Sequence, residues 1–464
     1  MRIPGKLIAL AFACILLVSC TEQKEAKPNI ILMNIDDMGW RDVGFMGSEY
    51  YETPNLDALA AEGMIFTQAY ASASNCAPSR ACMMSGQWTP RHGIYTVNNS
   101  DRGKSKNRKL IPIKNTRTLA DDNYILAEAL KDAGYITCHA GKWHLGDDPT
   151  TQGFDVNIGG THAGHPSSYY PPFKNVPLEV SDKDAYLTNV IMDKVLEFLD
   201  TVGDSPFFLN YSPYAVHGPY HPYRQLLPKY NNKQEWNGQG HAKYATMVEN
   251  LDTQIGRLIN FMDESEKMDN TLIIFTSDNG GVYKTSKQWP LRAGKGSYYE
   301  GGIREPMFVY WKGQIVAGSV CDVPVSNLDF YPTLLEIANN GLDSDNLLDG
   351  QSLLPLLTGK VTNMDRPIYW HFPIYLQGGN EETQDKLFRT RPGSAIRYGD
   401  WKLIEYFENN EFELYNLKND IGEKNNLAGS NPEKLDELKK LLDEWRHNVG
   451  APVPDEVNPD WEGR

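Results

Sequence analysis

The amino-acid sequence predicts an α/β fold, in which one large sheet flanked by helices is followed by a smaller antiparallel sheet with one helix. Through most of the chain, short apolar runs alternate with segments of helical periodicity, as in sheets whose strands are separated by helices. After about residue 360, strand-like stretches joined by polar turns replace that pattern. The 464 residues are 41% hydrophobic and 23% charged, which excludes a disordered or multi-span membrane protein.

The elements of the large sheet have local signals in the sequence. The pair Thr53-Pro54 is typical of a helix start, and Gly63 of the end of that helix. Stripes of apolar residues predict further helices over 125–133, 187–199 and 244–262. Four continuous apolar runs predict buried strands at Ile30–Ile35, Tyr135–His139, Phe207–Tyr211 and Leu272–Thr276. We therefore expect a first domain over residues 28–360.

The C-terminal part of the chain has the pattern of a small antiparallel sheet. Its strand-like stretches lie at 367–372, 394–398, 401–406 and 412–417. A helix is predicted from Pro432 to about Asn448, with Asn431 as its cap. These elements predict a smaller α+β domain over residues 361–464.

The N-terminus has the pattern of an export signal. Arg2 and Lys6 precede the apolar run Leu7–Val18, whose twelve residues are too few for a membrane-spanning helix. We expect a signal peptide at residues 1–19. The sequence LVSC at its end resembles a bacterial lipobox, which implies a lipid on Cys20, a tether at 20–27 and anchoring to a membrane in the periplasm or at the cell surface. Ordinary signal cleavage beside an incidental cysteine is the alternative.

Charge and cysteine content limit the function classes. The 45 Lys and Arg against 60 Asp and Glu give a net charge of −15, which argues against nucleic acid as a partner. An anionic substrate would therefore need a local cluster of positive charge. Cys76, Cys82, Cys138 and Cys321 are spread too widely for a disulfide framework or a zinc knuckle. We expect the last three of them in the protein core.

Polar residues follow each of the four predicted strands. They are Asp36-Asp37, Lys142 with His144, His217, and Asp278-Asn279 before two glycines. Ligands of α/β sheets bind at the carboxyl ends of the strands, so these side chains are expected to form one site. Taken singly, the adjacent acids would also suit an exposed turn, and the glycine-rich run a tight turn. Carboxylate and amide oxygens together favour Ca²⁺, with Mg²⁺ as an alternative, over zinc.

One short motif suggests a family. The run Cys76-Ala77-Pro78-Ser79-Arg80 resembles the C-x-P-S-R signature of the formylglycine-dependent type I sulfatases. Further stretches resemble that family in its order, namely PNIILMNIDDMGW, GKWHLG, YAVHGPY, FTSDNGG, LRAGKGSYYEGGIREP, GDWKLIEYFE and ELYNLKND. The resemblance covers nearly all of the chain that follows the signal peptide. It implies an alkaline-phosphatase-like fold with a large mixed sheet, and sulfatase activity on sulfated carbohydrate.

The resemblance also implies a modified residue and a metal site. A formylglycine-generating maturation enzyme would oxidise Cys76 to an aldehyde (3-oxoalanine), whose hydrate supplies the nucleophile. The metal ligands carried over by the resemblance are Asp36, Asp37, Asp278 and Asn279, together with the modified Cys76.

Catalytic roles for the remaining polar residues are likewise implied by the resemblance. Arg80 would hold the hydrate, while Lys142 and Lys295 would bind the sulfate oxygens. His217 would protonate the departing sugar oxygen, and His144 would help to expel sulfate from the enzyme. Each histidine taken alone would also suit a structural role.

Three further residues are candidates for contact with the substrate. We expect His165, Arg292 and His371 to bind the sugar, with the loop at 159–173 forming a wall of its site. The stretch 102–117 contains seven lysines and arginines; it could bind a polyanion, but we interpret it as a solvated basic loop.

Three functions are compatible with these patterns. The first is a sulfatase that acts on the ends of sulfated glycan fragments, with galactose or N-acetylgalactosamine 4-O-sulfate as the expected substrate. The second is a phosphodiesterase or phosphonate hydrolase of the same superfamily. The third is a non-catalytic, lipid-anchored glycan-binding protein, which the intact signature around Cys76 argues against.

Overall fold

A computed structural model describes residues 27–338 and 347–463 of the chain. The predicted signal peptide at 1–19 and the predicted lipid site at Cys20 lie outside the described residues, and of the tether only Lys27 is described. Among the helices that are described, none combines the length and the apolar character that crossing a membrane requires.

One large mixed sheet organises the described part of the chain, which confirms the predicted fold class. Its nine strands are β1 Asn29–Ile35, β2 Met64–Tyr70, β3 Ile136–Gly141, β4 Val156–Ile158, β5 Phe207–Ser212, β6 Thr271–Ser277, β7 Arg304–Trp311, β8 Ser319–Cys321 and β9 Val325–Ser326. Their order is β4-β3-β5-β1-β6-β7-β2-β8, with β9 also paired to β2. Strand β7 runs antiparallel to its neighbours β6 and β2, and the other pairs are parallel.

Helices cover both faces of this sheet. They are α1 Pro54–Ala61, α2 Cys76–Ser85, α3 Thr89–His92, α4 Leu126–Asp132, α5 Leu187–Thr201, α6 Leu227–Asn231, α7 Ala242–Glu264, α8 Glu300–Ile303, α9 Phe330–Ile337 and α10 Leu354–Leu357. In β1, Ile31 and Met33 belong to the core under α1, α5 and α7, whereas Ile30 and Leu32 belong to the core under α4 and α9. Burial of both faces explains why the predicted strands are continuous apolar runs.

A smaller sheet follows, as the sequence predicts. Its elements are β10 Ile368–Phe372, β11 Leu376–Gln377, β12 Phe388–Thr390, β13 Gly393–Tyr398, β14 Trp401–Tyr406, β15 Glu411–Asn416 and α11 Pro432–Val449. Strands β10, β13, β14 and β15 form an antiparallel sheet, and β11 pairs with β12 in a hairpin. The core of this sheet includes Cys82 and Trp88 from the first part of the chain, so the two sheets share apolar packing.

A buried ion cluster also joins the two parts of the chain. Lys402 of β14 donates to Glu300 of α8 at 2.9 Å and lies 2.8 Å from Glu423, and all three side chains are 0% exposed. Arg304 lies 3.1 Å from the second oxygen of Glu300. Burial opposes the ionisation of both glutamates, but Lys402 and Arg304 hold the pKa of Glu300 at about 2. Burial dominates at Glu423 and raises its pKa to about 7.

Candidate active site

The predicted polar residues meet at one edge of the large sheet. Parallel pairing of β1 with β5 and β6, and of β3 with β5, places the carboxyl ends of these four strands side by side. Asp36 and Asp37 follow β1, Lys142 follows β3, and Asp278 follows β6 directly. Their side chains are 0–3% exposed. The spatial cluster expected from the sequence is thus present in the fold.

Cys76 is the first residue of α2 and lies at the bottom of this cluster. Its residue surface is 1% exposed, and its Sγ lies 2.8 Å from Lys295 Nζ and 3.8 Å from Asp37 Oδ1. Asn75 before it has an extended backbone, as the residue before a helix usually does. Burial raises the pKa of the Cys76 thiol to about 12, although Lys142 and Lys295 favour its ionisation. An unmodified cysteine at this position would therefore carry its proton at neutral pH and be a poor nucleophile.

Each carboxylate of the cluster contacts a cation. Asp36 Oδ2 accepts from Lys142 Nζ at 2.8 Å, and Asp37 Oδ1 accepts from Lys295 Nζ at 2.5 Å. Burial opposes the ionisation of both aspartates, yet these lysines hold their pKa values below the ordinary range.

Arg80, one turn after Cys76, reaches the third carboxylate. Its Nε donates to Asp278 Oδ2 at 2.7 Å and its Nη1 to the Lys142 carbonyl at 2.8 Å. Burial raises the pKa of Asp278 despite this arginine. Arg80 therefore stands between the strand ends of β3 and β6.

The donor set of the cluster fits a divalent cation. Ligand atoms of Asp36, Asp37, Cys76 and His217 all lie within 4.8 Å of one another. In the described part of the chain, the buried oxygens Asp36 Oδ1 and Asn279 Oδ1 have no hydrogen-bond partner. Buried oxygens are rarely left unpartnered, and hard oxygen donors are those that Ca²⁺ and Mg²⁺ prefer. The residues present therefore fit the predicted metal.

Two histidines of the site differ in exposure. His217 is 24% exposed; its Nδ1 lies 2.6 Å from the Gly218 carbonyl, which leaves Nε2 facing Asp37 Oδ2 at 3.5 Å. His144 is 6% exposed, and burial, followed by Lys142, lowers its pKa well below 6.5. His144 is therefore neutral at neutral pH, which is the form of a histidine that accepts a proton.

The backbone at the strand ends adopts conformations that few side chains tolerate. Asp37 and His144 have φ values of 61° and 68°. Non-glycine residues in this region cost about 1–3 kcal/mol and cluster at functional sites. Gly141 has a φ of 104°, and a Cβ there would lie 2.1 Å from the Ser212 carbonyl oxygen. Only glycine permits the close approach of β3 and β5 that directs Lys142 into the cluster.

A cavity of about 430 Å³ opens above Cys76. This volume lies within the range of small-ligand sites. Its lining comes from several loops and from the hairpin of β11 and β12: Asn75, Cys76, Val97, Asn98, Arg102, Arg117, His144, His162, Gly164, His165, His217, Lys295, Leu376, Gln377, Gly378 and Arg389. Both the 159–173 loop and the C-terminal part of the chain thus contribute to the wall.

Of the three predicted sugar-binding residues, the structure places only His165 in the cavity wall. Its ring stacks on that of His217, with centroids 5.8 Å apart. Arg292 donates to the carbonyls of Glu382 and Glu423, so its guanidinium is used in joining segments of the chain. His371 is 3% exposed, and its two ring nitrogens lie within 3.0 Å of Ser394 Oγ and the Pro452 carbonyl. We therefore correct the expectation that Arg292 and His371 contact the substrate.

Three arginines of the cavity were not among the predicted site residues. Arg102 and Arg117 belong to the stretch interpreted as a solvated basic loop; both line the cavity, and that interpretation fails for the part-buried Arg102, whereas Arg117 is exposed to solvent as well. Arg389 was not singled out, and no local motif marks it. Of the cysteines expected in the core, Cys82 and Cys138 are buried, whereas Cys321 is half-buried.

Comparisons with known proteins agree with the geometry. A family model described as "Sulfatase" matches residues 28–340, and one described as "N-sulphoglucosamine sulphohydrolase, C-terminal" matches residues 294–448. A protein of Formosa agariphila named "Sulfatase" is 33% identical, over 94% of this chain and 92% of its own length. The N-acetylgalactosamine-6-sulfatase of Homo sapiens is 32% identical, over 74% of this chain and 68% of its own.

Solved structures show the same similarity. The crystal structure of Ps i-CgsB in complex with k-i-k-neocarrahexaose has a TM-score of 0.76 and 30% identity, and the match covers 92% of this chain and 95% of that one. A phosphonate monoester hydrolase of Agrobacterium radiobacter has a TM-score of 0.65 at 20% identity, covering 91% and 95% of the two chains. The latter likeness concerns the fold alone.

Proposed function

Because the chain belongs to the sulfatase family and is a sulfuric ester hydrolase, we propose that it removes O-sulfate groups from the ends of glycan fragments, using a formylglycine made from Cys76. The observation that carries this proposal is the position of Cys76. It lies at the bottom of the cavity, 2.8 Å from Lys295 and among three aspartates and two further cations. The three cations and three aspartates balance one another, so the net positive charge that a sulfate would meet comes from a divalent ion held by the aspartates and from the arginines of the cavity wall, although the chain as a whole is acidic.

The cations of the site would hold the sulfate group. Lys142 and Lys295 are fixed by Asp36 and Asp37, so they are oriented before the substrate arrives. Donors that are already in position stabilise the negative charge that develops on the oxygens of the sulfate group, because the protein need not reorganise during the reaction. A divalent ion held by Asp36, Asp37, Asp278 and Asn279 would supply further positive charge at the sulfate. The hydrated aldehyde would supply a hydroxyl nucleophile in place of the protonated thiol.

The two histidines suit opposite proton transfers. His217 is part-exposed beside the cavity. In its imidazolium form, Nδ1 donates to the Gly218 carbonyl, and the proton on Nε2, which has no backbone contact, can pass to the departing sugar oxygen and leave a neutral ring. His144 is neutral because of its burial and can accept a proton as sulfate leaves the enzyme. Tyr169 donates to the His217 carbonyl at 2.8 Å and helps to fix the loop that carries this residue.

The proposed modification is tested by mass spectrometry of the peptide that contains Cys76. Protein produced with a maturation system should contain the aldehyde and release sulfate from an aryl sulfate. Cys76→Ala should fold but lose activity by at least about a thousandfold, as expected when a nucleophile is removed. Cys321→Ala, which removes a distant half-buried cysteine, is the matched control and should remain active. Full activity in protein whose Cys76 peptide retains the thiol mass would refute the mechanism.

The same assay distinguishes the alternative functions. With sulfate and phosphate esters of one phenol, a phosphodiesterase or phosphonate hydrolase would prefer the phosphate compounds, and a glycan-binding protein would cleave neither. We expect preference for the sulfate ester.

We further propose galactose or N-acetylgalactosamine, carrying a 4-O-sulfate at a chain end, as the substrate. The cavity is bounded by the 162–165 segment on one side and by the hairpin of β11 and β12 on another, which suits a terminal sugar. The name of one similar protein, an N-acetylgalactosamine-6-sulfatase, supports the sugar although it specifies position 6, and the structure in complex with k-i-k-neocarrahexaose supports an oligosaccharide as substrate.

A screen of oligosaccharides tests the substrate. Each carries one sulfate, at position 4 or 6 of a terminal or an internal galactose or N-acetylgalactosamine. Faster release from internal positions would refute action at chain ends, and preference for the 6-O-sulfate would refute the proposed position.

Export and lipid anchoring at Cys20 complete the proposal. The LVSC sequence supports them, and the maturation enzyme is the implied partner in the producing cell. Fractionation tests the anchor, since Cys20→Ser should move the protein from the membrane fraction to the soluble fraction. An unchanged distribution would refute it.

A further inference from the structure

Three arginines line the cavity beside Cys76 without an acidic partner. Arg102, Arg117 and Arg389 all contribute to the wall, and within residues 27–338 and 347–463 their guanidinium groups form no ion pair. No aspartate or glutamate of the described chain lines this cavity either. Arginine keeps its charge at neutral pH, so residues of the cavity wall carry three positive charges, of which that of Arg117 is also exposed to solvent.

Arg389 is connected to the reacting centre through one residue. Its Nη1 lies 3.4 Å from the backbone carbonyl oxygen of Lys295, whose Nζ lies 2.8 Å from Cys76 Sγ. The point at which Arg389 contacts the Lys295 backbone therefore lies one lysine side chain away from the Cys76 sulfur atom. A Cβ at Gly296 would lie 3.0 Å from Arg389 Cδ, so the Arg389 side chain can extend past this residue because it is a glycine. Arg389 is thus placed to meet a group beyond the reacting sulfate.

The loop that carries Arg102 is fixed by a buried arginine. Arg108, 8% exposed, donates to the carbonyls of Asp101, Arg102 and Gly103 at 2.7, 3.4 and 2.7 Å. A Cβ at Gly103 would lie 3.0 Å from Phe388 Cε1, so the loop packs tightly against the strand that contains Arg389. Three carbonyls held by one guanidinium leave little freedom to the backbone of Arg102.

The two arginines repel one another. Burial lowers the pKa of Arg102, and the neighbouring Arg389 lowers it further. Burial likewise lowers the pKa of Arg389, which Asp37 and Cys76 only partly oppose. Partly buried charges of one sign are unfavourable unless an opposite charge joins them. The fixed loop keeps them together nevertheless, so the site favours an anion between them.

We propose that Arg102, Arg117 and Arg389 bind a second anionic group of the substrate, a sulfate ester or a carboxylate on the sugar next to the one that loses its sulfate. The planar guanidinium matches both of these oxyanions in geometry. This inference rests on the proposed function and narrows it: the substrate is a fragment with charge on adjacent sugars, and a singly sulfated sugar leaves three positive charges of the cavity unused.

Three disaccharides test the inference. All carry the reactive sulfate on the non-reducing sugar selected by the screen above, and the second sugar is galactose, galactose with one sulfate, or glucuronic acid. We expect kcat/KM to be higher by on the order of tenfold or more for at least one of the two doubly anionic substrates, the effect of one charge-assisted hydrogen bond. The preferred second sugar identifies the anion as sulfate or carboxylate.

Variants of the arginines connect this preference to the proposed site. In Arg102→Gln and Arg389→Gln, the ratio of kcat/KM between doubly and singly anionic substrates should fall towards one. Lys104→Gln, which removes an exposed lysine from the same loop outside the cavity, should keep the ratio of the unmodified enzyme.

The possible outcomes separate the two proposals. Equal kcat/KM for all three disaccharides, or a preference that survives both arginine variants, overturns the second anion site but leaves the sulfatase proposal intact. Release of sulfate from none of the sulfated sugars in the screen overturns the proposed function, and this inference with it.

Discussion

Replacing Lys402 by methionine tests how the two parts of the chain are joined. Lys402 contacts Glu300 at 2.9 Å and Glu423 at 2.8 Å, and no atom of the three side chains is accessible to solvent. Methionine keeps the unbranched shape but removes the charge. Arg304, 3.1 Å from Glu300, still compensates that carboxylate, whereas Glu423 would lose its contact with a cation. One uncompensated buried charge lowers the free energy of unfolding by about 3–5 kcal/mol.

The loss of unfolding free energy in Lys402→Met should increase as pH rises. The folded-state pKa of Glu423 is already raised to about 7, against an ordinary value of 4.5, and removal of Lys402 raises it further. Between these values the folded protein binds a proton that the unfolded chain does not, so the stability of the variant falls as pH rises. Since Glu423 of the unmodified protein ionises only above about pH 7, we expect the loss to be larger at pH 8 than at pH 5 by about 1.4 kcal/mol, the free energy of one pKa unit.

Urea unfolding followed by tryptophan fluorescence measures this difference. Lys434→Met removes a part-exposed partner of Glu437 and should leave the free energy of unfolding nearly unchanged, since surface ion pairs contribute little. Adding Glu423→Gln to Lys402→Met should recover part of the loss at pH 8. The reasoning fails if Lys402→Met is no less stable than Lys434→Met at pH 8, or if its loss is equal at pH 5.

Three further outcomes follow from individual residues. Asp278→Ala should lose bound metal, measured by elemental analysis, together with activity. Asp155→Ala on the surface is the control and should retain both. Metal retained in Asp278→Ala would contradict the proposed ligand set. Gly164→Ala places a Cβ 2.7 Å from His144 Cε1 and should lower kcat by about tenfold or more by displacing that ring; unchanged turnover would show that the ring yields freely. Burial lowers the pKa of His371 to about 3, so the unfolded chain binds the extra proton between pH 6 and 4 and stability falls as pH falls. The slope of unfolding free energy against pH should therefore be about 1.4 kcal/mol per unit smaller in His371→Gln, and an equal slope would refute the neutral buried state.

The extent to which sequence predicts this structure depends on how local each signal is. The strands β1, β3, β5 and β6 are predicted because both of their faces are buried, which makes them continuous apolar runs. Strands β2 and β7 were missed, since MIFTQAY mixes polar with apolar residues and REPMFVYW begins with charged ones. Their place in the sheet is determined by pairing with one another and with β6.

The residues of the site also differ in how local their sequence signals are. Asp36, Lys142 and Asp278 lie within three residues of the ends of predicted strands, so their meeting at one edge follows from the parallel sheet. Arg389 lies in a three-residue strand whose approach to Lys295 depends on how the C-terminal sheet packs against the first domain. Arg102 could not be told from the other basic residues of its stretch, because only the contacts of Arg108 with the loop carbonyls decide which side chain enters the cavity.

The burial of α2 has a consequence for the order of events in the producing cell. All ten of its residues are buried, and Cys82 packs in one core with residues of β13 and β14, which are synthesised late. An enzyme that oxidises Cys76 must bind the chain around this residue in its own active site, which a folded helix without exposed surface does not permit. If Cys76 is modified as proposed, the time available for the modification would therefore end when the C-terminal strands pack. We expect chains that fold before they are oxidised to remain inactive even in the presence of a maturation enzyme, so a competition between the rates of folding and oxidation would set the yield of active protein.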